Sequence, residues 1–413
     1  MERVCEPWNL EKALSRVYKN GGSPGADGMT VEELREQFPQ WLPVLREELL
    51  SGRYRPTAVK RVEIPKPGGG VRQLGVPTVR DRLVQQAVLQ VLQPLWDGSF
   101  SERSYGFRPR RSAHGAMRQA EEYVRSGLDW VVDLDLEKFF DRVNHDRLMH
   151  ALGQRIGDKR LLRLIGSFLR SGVLENGLVS PRVEGTPQGG PLSPLLSNIV
   201  LDELDRELER RGHAFVRYAD DVTIFVRSEQ AGLRVLSSVT RYVERRLKLR
   251  VNGEKSGVGR PWERELLGFT FARETRAAVP SERSRKRLRR QVREITKRTR
   301  GARVERVIGE LSSFLRGWAS YFGLNALPRE LHDEDGWIRH RLRCYLWSQW
   351  KTGRNRFEEL TRRGVSRRAA RAAQWSNRGP WRQSLSHAVQ QALSNWHFTK
   401  MGLPTLASLW AGA

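Results

Sequence analysis

Two adjacent acids, Asp220 and Asp221, stand at the centre of Phe215-Val216-Arg217-Tyr218-Ala219-Asp220-Asp221-Val222-Thr223-Ile224-Phe225-Val226. The flanking runs are apolar and β-prone, which predicts a β-hairpin. Neighbouring side chains on a strand face opposite ways, so both carboxylates reach one site only if the backbone turns between them. The hairpin bend supplies that turn. Carboxylate oxygens are the hard ligands that divalent cations prefer. An acid pair on a plain solvated turn is the commoner case, but here the flanks are apolar and another acid lies upstream in a similar setting. Trp130-Val131-Val132-Asp133-Leu134-Asp135-Leu136 predicts a strand over 131–136 with Asp133 and Asp135 on one face. A strand carrying Asp135 beside a hairpin carrying Asp220 and Asp221 brings three carboxylates together. Three are enough for two Mg²⁺ ions, one activating an attacking hydroxyl and one steadying a leaving phosphate.

The whole chain fits a phosphate-rich partner. Its 413 residues are enough for two or three domains. The formal charge is +26 and the pI about 11.0, an imbalance beyond what solubility requires. Lysines and arginines gain by displacing counterions condensed on nucleic-acid phosphates. The excess is uneven: from Ser281 onward there are 28 Lys and Arg against 10 Asp and Glu, so this stretch carries +18 of the +26. It also holds eight of the 13 tryptophans, which offer stacking surfaces among the charges. Cys5 and Cys344 are the only cysteines, too few for a disulfide framework or a cysteine-based zinc site. The first residues lack an apolar signal core, and no run of about 18 apolar residues offers a membrane span. A cytoplasmic, nucleoid-associated protein with no membrane partner is expected.

Further elements must position the acids. Leu10 to Tyr18 predicts a short amphipathic helix ending in the glycine-rich loop Asn20 to Gly28, which reads equally as a phosphate cradle or a plain turn. Thr30 and Glu33 form a capping box for the next helix. Arg61 to Leu74 predicts a hairpin with Lys66 and Arg72 on opposing arms. Two such cations can clamp a triphosphate, arginine taking two oxygens at once, or they are simply solvated charges. Phe107-Arg108-Pro109-Arg110-Arg111-Ser112 is a basic loop before a helix, and either a template contact or a surface loop. Phe139, Val143 and Leu148 continue from the Asp135 strand at helical spacing as core candidates, with helices over 145–152 and 158–169. His145 and His150 share no metal-ligand spacing and read as structural or surface residues. Gln188-Gly189-Gly190 precedes a helix over 193–211. Its glycines let a nucleic-acid strand approach the backbone, and Gln188 can donate and accept at once, unless the loop merely starts the helix. A helix over 233–247 and a strand over 266–271 follow.

Ser281 to Arg300 holds ten basic residues and two acids, with Leu288, Val292 and Ile295 at helical spacing. A basic amphipathic helix also suits a membrane surface or a calmodulin-like partner, but beside phosphate chemistry Arg285, Arg289 and Arg293 are expected to track nucleic acid. Val307 to Tyr321 and Trp337 to Trp350, the latter with Ile338, Leu342, Leu346 and Trp350 on one face, complete a three-helix bundle.

Tyr218-Ala219-Asp220-Asp221 resembles the catalytic box of reverse transcriptases, in the form typical of group II intron-encoded reverse transcriptase/maturases. Asp135-Leu136-Glu137-Lys138-Phe139-Phe140-Asp141 resembles the first metal-binding box of that family. Thr186-Pro187-Gln188-Gly189-Gly190-Pro191-Leu192-Ser193 resembles its template- and nucleotide-contacting box. Six boxes occur in the family's order, and the resemblance runs from about Gly22 to the C-terminus. It implies an α+β right-hand polymerase, with fingers and a palm built on antiparallel sheet over 1–275. A helical thumb or maturase domain over 276–351 and a small basic DNA-binding region over 352–413 would follow.

It implies Asp135, Asp220 and Asp221 as catalytic metal ligands, with Leu136 also at the metal, and two Mg²⁺ ions for which Mn²⁺ can stand in. Lys66, Arg72, Phe140, Gln188 and Lys255 are implied to bind the nucleotide. Phe140 would lie under its sugar and disfavour a 2′-hydroxyl, although from the residues alone an ordinary core phenylalanine fits nearly as well. Arg108, Arg110 and Arg111 are expected on nucleic acid. The implied partners are group II intron RNA, an RNA template with a DNA primer, target DNA and dNTPs, the protein acting as monomer or homodimer. The H-N-H endonuclease segment of many members is missing, so the resemblance is to the compact bacterial subgroup. Two alternatives share the same basic surface: a maturase that folds intron RNA without polymerase chemistry, and a host-adopted reverse transcriptase in repair or phage defence.

Overall fold

The computed structural model describes residues 1–65, 71–175, 178–180, 184–185, 189–325, 331 and 333–410. They fall into two units, Met1–Arg264 and Glu265–Ala413.

The first unit begins with α1 (Glu2–Cys5) and α2 (Pro7–Asn20). Proline at the first position of α2 sacrifices no hydrogen bond, and Leu10, Ala13 and Val17 recur at helical spacing to form its buried face. α3 (Val31–Leu50) starts at the expected capping box: Glu33 N–H donates to Thr30 Oγ1 at 3.2 Å, and Thr30 N–H donates to the Glu33 carboxylate at 2.8 Å. β1 (Val59–Pro65) and β2 (Val71–Val76) form the expected antiparallel hairpin, with Arg72 opposite Ile64. Its tip, including Lys66, lies outside the described residues, as does Gln188. α4 (Val79–Asp97) is capped by Thr78 and buries even polar residues, among them Asp81, Arg82, Gln85 and Gln86.

α5 (Ala113–Arg125) leads into β3 (Trp130–Leu134), which stops one residue before Asp135. The helical spacing after it gives only a 3₁₀ turn, Phe139–Asp141, although Phe139, Val143 and Leu148 are all buried as expected. α6 (His145–Gly153) and α7 (Lys159–Arg170) follow, then β4 (Val173–Glu175) and β5 (Leu178–Ser180). α8 (Ser193–Arg210) precedes the hairpin β6 (Ala214–Tyr218) and β7 (Asp221–Val226). α9 (Glu229–Tyr242) runs on through a π turn, Val243–Leu247, and β8 (Gly257–Gly259) ends the unit.

Two four-stranded sheets organise these elements, in the orders β2-β1-β4-β5 and β6-β7-β3-β8. In the second sheet β3 lies between β7 and β8 and is antiparallel to both, pairing Leu134 with Val222 and Val132 with Val258. Val131, Val132, Leu134, Val222, Ile224 and Phe225 are buried. The sheet that carries the acids is therefore anchored by continuous apolar packing, and Asp135, Asp220 and Asp221 stand at the ends of its two central strands.

In the second unit β9 (Phe269–Phe271) pairs with β10 (Ala278–Pro280). α10 (Glu282–Ile295), α11 (Val304–Phe322) and α12 (Glu334–Gln349) then supply the three expected helices. Leu288, Val292 and Ile295 turn inward from α10, and Ile338, Leu342 and Leu346 from α12. The Phe269 ring packs 4.9 Å from Phe322 and 5.5 Å from Tyr321, so this hairpin belongs to the helical unit. The two compact units divide at 264/265. Six short helices, α13 (Gly353–Arg362), α14 (Arg367–Gln374), α15 (Pro380–Gln383), α16 (His387–Ala392), α17 (Asn395–Lys400) and α18 (Leu406–Trp410), complete it. No helix among the described residues is long and apolar enough to cross a membrane.

Eight of the 13 tryptophans lie in this unit, so its unfolding dominates the intrinsic fluorescence. Replacing Phe269 by Ala should cost about 3–5 kcal/mol and lower the fluorescence-monitored melting temperature. An unchanged transition would place the hairpin outside this core.

Candidate active site

The hairpin turn is two residues long. Tyr218 pairs with Asp221, leaving Ala219 and Asp220 between them. Ala219 takes φ +58°, a left-handed conformation that costs an L-residue about 1–2 kcal/mol. Its neighbours hold it there. A Cβ on Gly106 would stand 2.2 Å from the Ala219 nitrogen, so only glycine permits this approach.

Arg217 supplies the other restraint. It lies on β6, two residues before the turn, and its side chain is fully buried. Nε and Nη2 donate to the Asp205 carboxylate at 2.7 and 2.6 Å. Nη1 donates to Asn198 Oδ1 at 2.8 Å and to the Ala219 carbonyl at 2.9 Å, and Nη2 also donates to Ser104 Oγ at 2.7 Å. These bonds match the five donors of a guanidinium. Asn198 Nδ2 donates in turn to the Gly106 carbonyl at 2.9 Å. The backbone is tied as well: Arg217 N–H donates to the Arg103 carbonyl at 2.9 Å, and Tyr105 N–H to the Arg217 carbonyl at 2.8 Å. Segment 103–106, α8 and the hairpin tip are thus locked around one cation.

The register places the acids. Asp133 pairs with Thr223, whose hydroxyl donates to the Asp133 carboxylate at 3.2 Å. Continuing that register by one pair beyond Leu134 and Val222 sets Asp135 beside Asp221, on the face that Asp133 and Thr223 share. Burial pushes the Asp133 carboxyl up to about 6; Arg264 and the Thr223 hydroxyl pull the other way, and the charge of Asp221 adds to the rise. Asp135 is fixed through its backbone: its N–H donates to Ser256 Oγ at 2.9 Å, and its carbonyl accepts from Asn252 N–H at 2.9 Å. Leu136 bridges Val251, but the bonds beside that bridge come from Asp135 and Glu137. In an antiparallel ladder the Leu136 carbonyl then turns to the opposite side, that of β7.

Lys255, expected at a phosphate, sits with Nζ 3.6 Å from Asp135 Oδ2. The ammonium is a cation drawn to the carboxylate, and the surrounding donors are all hard oxygens, so the residues fit a divalent ion. Among the described residues no three Asp, Glu, His or Cys side chains enclose a single point.

Asp220 opens into a cavity of about 610 Å³, whose wall also includes Phe140, Gly21, Arg82, Gly189 and Gly190. Phe140 is half-buried and meets Phe139 edge-on at 5.3 Å. Arg82 anchors the glycine-rich loop, donating to the Gly21 carbonyl at 3.0 Å and the Ser23 carbonyl at 2.9 Å. The smallness of Gly190 serves the protein itself, because a Cβ there would meet Gln85 Oε1 at 2.2 Å.

The arginines separate by role. Arg108 turns inward, contrary to the expected template contact. Its Nε donates to Asp97 Oδ1 at 2.9 Å, and its other nitrogens donate to the carbonyls of Asp97, Ser101 and Ser104. Arg110 is exposed, and Arg111 pairs with Glu102. In the second unit Arg289 pairs at 2.6 Å with Glu334, Arg293 lies over the Trp337 ring and Arg285 is half-buried. Of the tryptophans expected to offer stacking surfaces, Trp318, Trp347, Trp350 and Trp410 are core, whereas Trp375, Trp381 and Trp396 are exposed. Arg82 and the Arg217 network escaped the sequence reading; the available signal was a charged residue inside an otherwise apolar strand.

Acids at the end of an antiparallel sheet, beside an open cleft in a strongly basic chain, are the arrangement expected of the reverse transcriptase fold. The chain belongs to the reverse transcriptases (RNA-dependent DNA polymerases), whose family model matches residues 64–271. Residues 285–364 match the maturase-specific domain of group II introns. The chain is 36% identical over 295 residues to protein YkfC of Escherichia coli (strain K12), covering 62% of this chain and 77% of that protein. It is 36% identical over 202 residues to the group II intron-encoded protein LtrA of Lactococcus lactis subsp. cremoris, covering 47% of this chain and 32% of LtrA. With the putative COX1/OXI3 intron 2 protein of Saccharomyces cerevisiae the identity is 34% over 194 residues, 47% of this chain and 22% of that protein. The chain therefore spans about a third or less of these two intron proteins. Reverse transcriptases as a family use divalent metal ions.

Breaking one partner of the Arg217–Asp205 pair leaves an uncompensated buried charge, so Arg217→Met or Asp205→Leu alone should cost about 3–5 kcal/mol. The double variant should recover much of the stability and little of the activity, because the Ala219 carbonyl still lacks its donor. Thermal melts and primer extension on the three variants check this, and additive destabilisation would contradict it.

Proposed function

We propose that the protein is an RNA-directed DNA polymerase that copies group II intron RNA into cDNA and assists splicing of that RNA as a maturase. The observation that carries the catalytic part is the register that sets Asp135 beside Asp221 on one sheet face, with Asp220 opening into the cleft. Two Mg²⁺ ions held by Asp135, Asp220, Asp221 and the Leu136 carbonyl, replaceable by Mn²⁺, would supply activation of the primer 3′-hydroxyl and charge neutralisation at the departing pyrophosphate.

The chain's own groups do the positioning. Phe140, on the cavity wall with Asp220, packs against the sugar of the incoming dNTP and crowds a 2′-hydroxyl. Lys255 neutralises Asp135 until substrate arrives and then turns to the triphosphate. Lys66, Arg72 and Gln188 are assigned to the nucleotide by family resemblance. The match to the maturase-specific domain supports the splicing role, and the exposed tryptophans and arginines of residues 352–413 are assigned to target DNA. The protein works in a nucleoid-associated ribonucleoprotein, as monomer or homodimer.

The test is primer extension on an RNA template with dNTPs and Mg²⁺. Wild type should extend the primer, EDTA should stop it and renewed Mg²⁺ should restore it. Asp220→Asn should fall to background while still binding RNA. Equal extension by the variant would overturn the site. With rNTPs supplied alongside dNTPs, Phe140→Ala should raise ribonucleotide incorporation; unchanged selectivity would remove Phe140 from the sugar contact.

A further inference from the structure

A second concavity of about 350 Å³ lies between the end of α3, the segment after it and α7, and it shares no lining residue with the cleft that holds Asp220. Its floor is apolar, with Leu49, Tyr54 and Leu164 buried. Its rim carries four guanidinium groups, Arg55, Arg160, Arg163 and Arg170, with the hydroxyls of Ser51 and Ser167 between them.

These arginines do different work. Arg160 is spent on the protein: it bonds the Leu50 carbonyl at 3.2 Å, Glu2 at 2.6 Å and Asp158 at 3.2 Å, holding α7 to the end of α3. Arg55 donates only to the nearby carbonyls of Gly52 and Tyr54. Arg163 and Arg170 are exposed, and neither pairs with a carboxylate among the described residues. Among the described residues no carboxylate pairs with Arg55, Arg163 or Arg170, so three guanidinium charges line one hollow, while Glu2 and Asp158 are taken up by Arg160.

The frame around them is fixed beforehand. The Tyr54 hydroxyl donates to Asp81 at 2.9 Å, and the same carboxylate accepts from Thr57 N–H at 3.1 Å, so the segment bearing Arg55 is pinned to α4. Arg163, Ser167 and Arg170 follow one face of α7, and seven residues of helix put the two arginines about 10 Å apart along its axis. Basic groups at that interval can meet separate phosphates of one strand more readily than a single anion, and the apolar floor can receive a sugar or base between them.

We infer that this hollow is a phosphate-binding site, separate from the catalytic cleft, that takes the backbone of a single-stranded RNA segment on Arg55, Arg163 and Arg170. It deepens the proposed RNA-binding function and rests on it. Holding RNA here lets the protein keep a grip on a strand that is not being copied.

The test uses the full chain and a labelled single-stranded RNA oligonucleotide, with ATP as the free-phosphate probe. Hydrogen exchange at residues 51–55 and 160–170 should slow when RNA is added and stay unchanged with ATP. In anisotropy titrations against KCl, Arg163→Gln combined with Arg170→Gln should flatten the slope of log K against log[salt] by about 1.4, two phosphate contacts at about 0.7 each. An unchanged melting temperature shows that the variant is folded, since both side chains are exposed. Protection by ATP would keep the phosphate site and overturn the strand as its source. If RNA binds and primers extend but neither protection nor slope changes, this site fails while the polymerase stands. If primers are not extended by wild type, the polymerase proposal fails on its own assay.

Discussion

One buried cation, Arg217, holds the geometry on which the acids depend. A fully buried ion pair adds little net stability, because desolvating two charges offsets most of their attraction. Its value here is directional. Apolar side chains of the same volume could fill the space, but they would not hold the Ala219 carbonyl, the Ser104 hydroxyl and Asn198 in fixed relation. The left-handed turn at Ala219 persists because the surroundings over-determine it, which is the usual condition for strain beside a functional group. Gly106 completes the restraint from the other side by leaving no room for a side chain.

The electrostatics around the sheet edge follow from the same design. A chain with a charge of +26 has every reason to attract phosphates and none to attract metal ions, so the local field must be reversed where carboxylates work. Asp133, Asp135 and Asp221 share a sheet face, and the Asp133 carboxyl is raised chiefly by its burial, with a smaller contribution from the charge of Asp221. Lys255 and Arg264 stand at the margin of this negative patch and keep it from becoming too costly without a bound ion.

Much of this was legible in the sequence. Alternation and flanking apolar runs gave both strands of the catalytic hairpin, and a capping box located α3 to the residue. The Asp135 strand was found but drawn too long, since periodicity cannot show that β3 ends at Leu134, where β7 gives way to a turn. Helical spacing after Asp135 likewise misleads, because Phe139 is buried from a 3₁₀ turn and Val143 from the irregular segment between that turn and α6. Charge alone could not sort the arginines: Arg108 and Arg110 look alike in sequence, yet one is consumed by internal carbonyls and the other is exposed. The glycines after Gln188 were read as room for a nucleic-acid strand, whereas Gly190 first makes room for Gln85. Partners from distant segments decided each case.

The Arg217 network also has a temporal side. Its members are separated by up to 113 residues, Ser104 being the most distant and Asp205 only 12 residues away. Asp205 precedes Arg217 in the chain, and burying its carboxylate without that counter-ion would be costly. One side chain at position 217 compensates Asp205 and ties segment 103–106 and the hairpin tip to the same point. β8 and the Asn252 and Ser256 contacts to Asp135 lie further along the chain, so the strand that carries Asp135 gains its second neighbour only after the hairpin has been made.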